Sequence, residues 1–188
     1  MKPARLRLGL ILAGVALSGL MLLAWTQPWF TIELIPSGSV TAAGDVAAPA
    51  LTALAVSGLA LAGALTIAGP VFRVVLAVLQ IAIGALVVAS AAIALTNPIA
   101  ASASVISALT GVSGASSIAA LVSAVGSTAW PYVGLGCGVL LVLLGVAIIV
   151  SSRRWPESSR RYQAVRLEKA DGSPVDDWDA LSDGRDPT

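Results

Sequence analysis

The sequence predicts an all-α membrane protein: a four-helix transmembrane bundle over residues 1–151, with a cytoplasmic and largely disordered tail over residues 152–188. Three observations carry that expectation. Four apolar stretches reach the roughly 20 residues that a helix, rising about 1.5 Å per residue, needs to cross a hydrocarbon core of about 30 Å. Basic residues fall on one side of the bilayer when four spans are drawn, which places both termini in the cytoplasm. Aromatic residues collect at the opposite ends of the spans, where amphipathic rings prefer the membrane–water boundary.

Composition agrees. Of 188 residues, 57% are hydrophobic and 11% charged, against about 25% charged in a soluble domain. Mean hydropathy is +0.91. Lys and Arg number 11 and Asp and Glu 10, so net charge points to no nucleic-acid partner. Histidine is absent and Cys137 is the one cysteine. Imidazole acid–base work, Cys-His nucleophiles, clustered thiolate zinc sites and intrachain disulfides are thereby excluded. The reading is of a non-enzyme with no catalytic, cofactor-binding or metal-binding residues. Cys137, within Gly134-Leu-Gly-Cys-Gly138, is a small packing residue.

The first span covers about residues 8–25, preceded by Lys2, Arg5 and Arg7. A cleaved signal peptide would have an apolar core of roughly 7–15 residues followed by a small-residue site. Here the apolar run continues to Ala24, so the segment reads as an uncleaved first helix. Pro28 closes it, and Trp25, Trp29 and Phe30 stand as its boundary anchors. In the loop that follows, Trp29 to Leu34 and Val40 to Ala43 flank Pro36-Ser-Gly-Ser39, which signals a small β-hairpin. Glu33 and Asp45 are its charges and read as solvated loop residues.

The second and third spans, about 49–68 and 71–95, meet at Gly69-Pro70. Arg73 sits in that turn, close enough to a helix end to reach the headgroups. Gln80 is the largest polar group inside any span; Ser18, Thr52, Ser57, Thr66 and Ser90 carry hydroxyls able to bond to their own helices. No Asp, Glu or His lies within a span, which disfavours a proton-coupled carrier. Gly14 with Ser18, Ala60 with Ala64, and Gly134 with Gly138 are small pairs four apart that suit close helix packing.

Asn97-Pro98 ends the third span, and a long, nearly uncharged second outer loop follows. Val105, Ile106, Leu109 and Val112 form one apolar stripe; Ile118, Leu121, Val122 and Val125 form another, beyond Gly111-Val-Ser-Gly114. Two short amphipathic helices on the outer surface match this pattern, with a re-entrant segment as the alternative. The fourth span, about 132–150, follows Pro131, with Trp130 and Tyr132 as boundary anchors. Arg153 and Arg154 then rest on anionic headgroups at the inner face. Near the chain end, Trp178 and Leu181 are three apart among acidic residues that include Asp183 and Asp186. Such a segment is either a docking motif for a cytosolic partner or a solvated tail.

A family resemblance adds to this reading. Trp25-Thr-Gln-Pro-Trp29, Pro49-Ala-Leu-Thr-Ala-Leu54, Thr128-Ala-Trp-Pro131, Arg153-Arg-Trp-Pro156 and the terminal Trp178-Asp-Ala-Leu-Ser-Asp-Gly-Arg-Asp-Pro-Thr188 together resemble the tryptophan-biosynthesis-associated membrane proteins of actinobacteria. The chain departs from that pattern at Arg185, where a Glu often stands. The resemblance implies a pathway and a multi-pass location in the bacterial plasma membrane, and no mechanism. Two functions stay open. One is an anchor or scaffold whose tail docks a cytosolic tryptophan-pathway enzyme. The other is a transporter, or transport accessory, for tryptophan or an aromatic precursor, with Gln80 as its intramembrane polar group and a homo-oligomer lining the path.

Overall fold

The apolar run from Leu8 lies within α1 (Pro3–Thr26), which starts earlier than the expected span and takes in Arg5 and Arg7, in this computed structural model, which describes residues 3–36 and 38–152. Proline at position 28 lacks the N–H that another helical turn would need. The chain therefore leaves the helix as strand β1 (Pro28–Leu34), turns, and returns as β2 (Gly38–Ala43). The expected hairpin is present, paired antiparallel from Pro28 opposite Ala43 to Leu34 opposite Gly38. A single helical turn, α2 (Gly44–Ala47), leads into α3 (Ala50–Leu65). Pro70 then occupies the first turn of α4 (Pro70–Thr96), where a missing N–H costs nothing.

These helices alternate in direction. Arg7, Gly14 and Ser18 of α1 meet Leu65, Ala62 and Gly58 of α3 in reverse order. Likewise α4 runs against α8 (Trp130–Ser151), Ala77 lying by Gly145 and Gly84 by Gly138. Helices α1, α4 and α8 are long and apolar enough to cross a membrane. Helix α3 is shorter, 16 residues, or about 24 Å at about 1.5 Å per residue. Bonds from Thr66 N to Gly63 O (3.0 Å) and Ile67 N to Ala64 O (3.2 Å) carry its turn slightly further. The second apolar stretch is thus a helix, but shorter than its expected bounds.

The α4–α8 pair has the tightest seam. Buried positions of α4 are Arg73, Ala77, Gln80, Gly84, Val87, Ala91 and Ala94, alternately four and three residues apart. Gly134, Gly138, Leu141, Gly145 and Ile148 of α8 repeat the alternation. A mean period of about 3.5 is that of a left-handed coiled coil. Glycine sets the separation: a Cβ on Gly84 would stand 2.7 Å from Val142 N, and one on Gly145 2.8 Å from Ala77 O. Of the small pairs expected at interfaces, Gly14 with Ser18 and Gly134 with Gly138 are buried, whereas Ala60 is exposed.

Beyond the far end of α4 the chain forms α5 (Pro98–Ala101), α6 (Ala103–Thr110) and α7 (Ala115–Leu121). It then departs from expectation. Val122 to Ser127 is not a continued helix but β3, which pairs antiparallel with β1 and completes a sheet of order β2-β1-β3. An all-α description is therefore corrected to a mostly helical one with a small sheet. The cause is tertiary: β1 presented an unpaired edge, and a short Val-, Ser- and Gly-containing segment satisfies it at little cost to a weak helical stripe. Both ends of β3 are tied down, by Ile35 N to Leu121 O (2.9 Å) and Thr128 N to Trp29 O (3.0 Å). Apart from Ser152, the expected tail, with Arg153, Arg154, Trp178, Leu181, Asp183 and Asp186, lies outside the described residues.

Candidate functional site

Three places in the described residues gather polar or unusual groups: a joint around Trp29, the interior near Gln80, and a cleft among the outer helices. The joint forms first in sequence. Trp29 is fully buried and its Nε1 donates to Ala24 O at 2.8 Å, a carbonyl in the last turn of α1 that also accepts from Gln27 N at 3.3 Å. Its ring lies over Gly134 of α8, where a Cβ would come within 3.3 Å, and against Gly44, where one would come within 2.7 Å. Phe30 meets it edge-on at 6.4 Å. Thr128 fastens the same corner, its Oγ1 donating to Pro28 O at 2.7 Å.

This corrects the expectation for Trp29 as a boundary anchor. The ring packs inside the protein because glycines at 44 and 134 leave a slot its size, and its N–H finds a carbonyl there. Tyr132 is 59% exposed, while Trp25 and Trp130 are half-buried.

In the interior, Gln80 is 2% exposed and its Nε2 has no hydrogen-bond partner. Ser18 Oγ and Thr52 Oγ1 are also buried without partners. The expected bonds to their own helices form at Ser57 (to Ala53 O, 2.7 Å) and Thr66 (to Gly63 O, 2.6 Å) instead. Ser18 faces Gly58 across the α1–α3 contact. Near the other end of the helices, arginines cap neighbouring helix ends. Arg7 donates to Leu65 O and Thr66 O, and Arg73 to Ser152 O at 3.0 Å and Ala68 O at 3.4 Å. Cations at carbonyl-bearing helix C-termini are favourably placed. Arg73 is only 3% exposed, so it is buried rather than reaching for headgroups as expected.

The cleft is the feature sequence reasoning missed. It lies among α5, α6 and α7, has a volume of about 460 Å³, and is walled by Ile99, Ala100, Ala103, Ala115, Ile118 and Ala119. Asn97, Ser104 and Ser107 supply its polar groups. Helices α6 and α7 meet at 74°. Gly111, at φ +70°, and Gly114, at φ +99°, make the corner. The pair Gly111 and Gly114 was the available signal, read as a division of the loop rather than as the hinge of a concavity.

Residues 11–188 match the family model described as tryptophan-associated transmembrane protein. The chain belongs to that family. No characterised protein and no solved structure matches the chain. For this tryptophan-associated transmembrane protein, the motifs that carried the resemblance are neighbours in space. Trp29 ends the first, Leu51 of the second lies beside Gly134, and Thr128 of the third bonds to Pro28 and Trp29. Three separated stretches therefore build one joint between helices and sheet. Among the described residues, no group of His, Cys, Asp and Glu could hold a metal ion.

Proposed function

We propose that this tryptophan-associated transmembrane protein is a non-enzymatic, four-span accessory of tryptophan biosynthesis in the bacterial plasma membrane. Helix α3 is the remaining span, and the basic end, bearing Arg7 and Arg73, faces the cytoplasm with both termini. The bundle anchors the chain. The C-terminal segment holding Trp178, Leu181, Asp183 and Asp186 docks a cytosolic enzyme of the pathway.

The observation that carries this reading is the α4–α8 seam. Backbone meets backbone at Gly84, Gly138 and Gly145, with Cβ positions 2.7–3.2 Å from neighbouring backbone atoms. Such contact leaves no space for a solute to pass between these two helices. The absence of histidine in the whole sequence and the single cysteine further support a role other than catalysis. Co-purification of the full chain in mild detergent, beside a chain truncated after Tyr162, tests the proposal. Recovery of a tryptophan-pathway enzyme with the full chain alone is expected; equal recovery with both forms, or none with either, removes the docking role.

A second reading draws on Gln80. A buried amide N–H without a partner is costly in a protein interior, by about 1–3 kcal/mol, and such groups in membranes mark substrate paths. A transport accessory for tryptophan or an aromatic precursor, acting as a homo-oligomer, would use it. Labelled-tryptophan flux into vesicles with parent and Gln80→Leu protein tests this reading, which predicts a loss of flux in the variant.

A further inference from the structure

We infer that the cleft among α5, α6 and α7 binds a small uncharged amphiphile: an apolar ring system with hydrogen-bonding capacity along one edge. This goes beyond the docking proposal and does not rest on it. Its volume of about 460 Å³ falls in the range of about 300–1,000 Å³ common to small-molecule sites. The walls are apolar and mostly alanine. Alanine has no rotamers to lose, so a ligand entering here orders little.

The polar groups decide the ligand's chemistry. Asn97 Oδ1 accepts from Ala100 N at 3.3 Å, which orients the side chain and leaves its amide N–H groups unspent. The hydroxyls of Ser104 and Ser107, one helical turn apart on α6, make no hydrogen bond within the described residues. They offer both donors and acceptors. None of the lining residues is ionisable. A charged or zwitterionic ligand would lose hydration without gaining a counter-charge, and a plain hydrocarbon would leave the amide and hydroxyls unpaired. An uncharged ring carrying one polar edge satisfies both conditions.

The concavity belongs to the backbone. Gly111 ends α6 in the left-handed region and Gly114 starts α7 at φ +99°, conformations that side chains rarely adopt. The 74° angle between the helices is thus built into the chain rather than left to side-chain motion.

The test is calorimetric titration of the full chain in nanodiscs, with heats from empty nanodiscs subtracted. Indole is the probe because it is uncharged, bicyclic and carries one N–H; L-tryptophan, the same ring with an ammonium and a carboxylate, is the comparison. Saturable one-to-one binding of indole is expected, with Kd between about 10 µM and 1 mM for so small a ligand, and binding of tryptophan at least about tenfold weaker. Ala119→Phe fills the cleft from an exposed position and abolishes the saturable component. The Ser104→Ala/Ser107→Ala pair weakens binding roughly five- to fiftyfold. Circular dichroism melting of each variant checks that the fold is kept. Uptake of indole no greater than by empty nanodiscs, unchanged binding by Ala119→Phe, or tryptophan bound as tightly as indole would each overturn the inference.

Discussion

The α4–α8 seam and the outer helices use the same residue for opposite ends. In the seam, Gly84, Gly138 and Gly145 have ordinary helical backbones, and the missing side chain lets two helices touch. In the outer region, Gly111 has open space around it and Gly114 would meet only Ser117 Oγ at 3.8 Å; both have positive φ angles, and the missing side chain lets the chain turn. One arrangement closes a gap and the other opens a cleft. Glycine content alone therefore carries no message; what matters is whether the glycine faces another backbone or bends its own.

Trp29 joins the sheet to α1, α2 and α8, so its removal should have the largest effect. Trp29→Ala empties a fully buried slot between α1, α2 and α8 and removes one of the two hydrogen bonds to Ala24 O. A loss of about 3–5 kcal/mol is expected, read by circular dichroism during unfolding in mixed detergent and SDS. If the loss were under about 1 kcal/mol, the joint would not be what fastens sheet to helices.

The seam and the corner can then be compared directly. Gly84→Ala forces a Cβ to 2.7 Å from Val142 N, a backbone atom that cannot step aside, and about 1–3 kcal/mol of destabilisation is expected. Gly63→Ala, with nothing within 4 Å, is the control and should gain up to about 1 kcal/mol from helix propensity. Equal outcomes for the two would remove the argument for backbone contact. Gly114→Ala should cost about 1–3 kcal/mol through its φ of +99° and ψ of 136°, a backbone region that glycine alone enters readily, and its signature is local: indole binding falls more than the melting temperature does. The smallest effect belongs to Gln80→Leu. Removing a buried N–H without a partner should leave stability unchanged or raise it by about 1 kcal/mol. A clear destabilisation would mean that Gln80 Nε2 is satisfied by a group other than those described.

The long helices were legible because length and hydropathy are properties of a continuous stretch. The hairpin was legible for a similar reason, since Pro36-Ser-Gly-Ser39 breaks two runs of β-favouring residues. The third strand was not. Val122 and Val125 satisfy a helical stripe as well as a strand, and the deciding partner, β1, lies some ninety residues away, as in the bond from Ser123 Oγ to Glu33 O. The α4–α8 seam was visible in principle as alternating four- and three-residue spacing, but in a helix apolar on every side that pattern stands out little. The buried Trp29 was misread because a tryptophan at a span end has two good environments, and only the neighbouring Gly44 and Gly134 select between them.

By itself the sequence determined that this chain enters a membrane, roughly where its long helices lie, that its described arginines stand at one end of them, and to which family it belongs. Those outcomes follow from local composition, because each residue's transfer free energy and each proline's missing N–H act without reference to distant partners. The tertiary structure alone decided the register of α4 against α8, the third strand, the burial of Trp29 and Arg73, and the cleft. Each of these depends on two stretches meeting, and a contact free energy belongs to the pair rather than to either stretch alone.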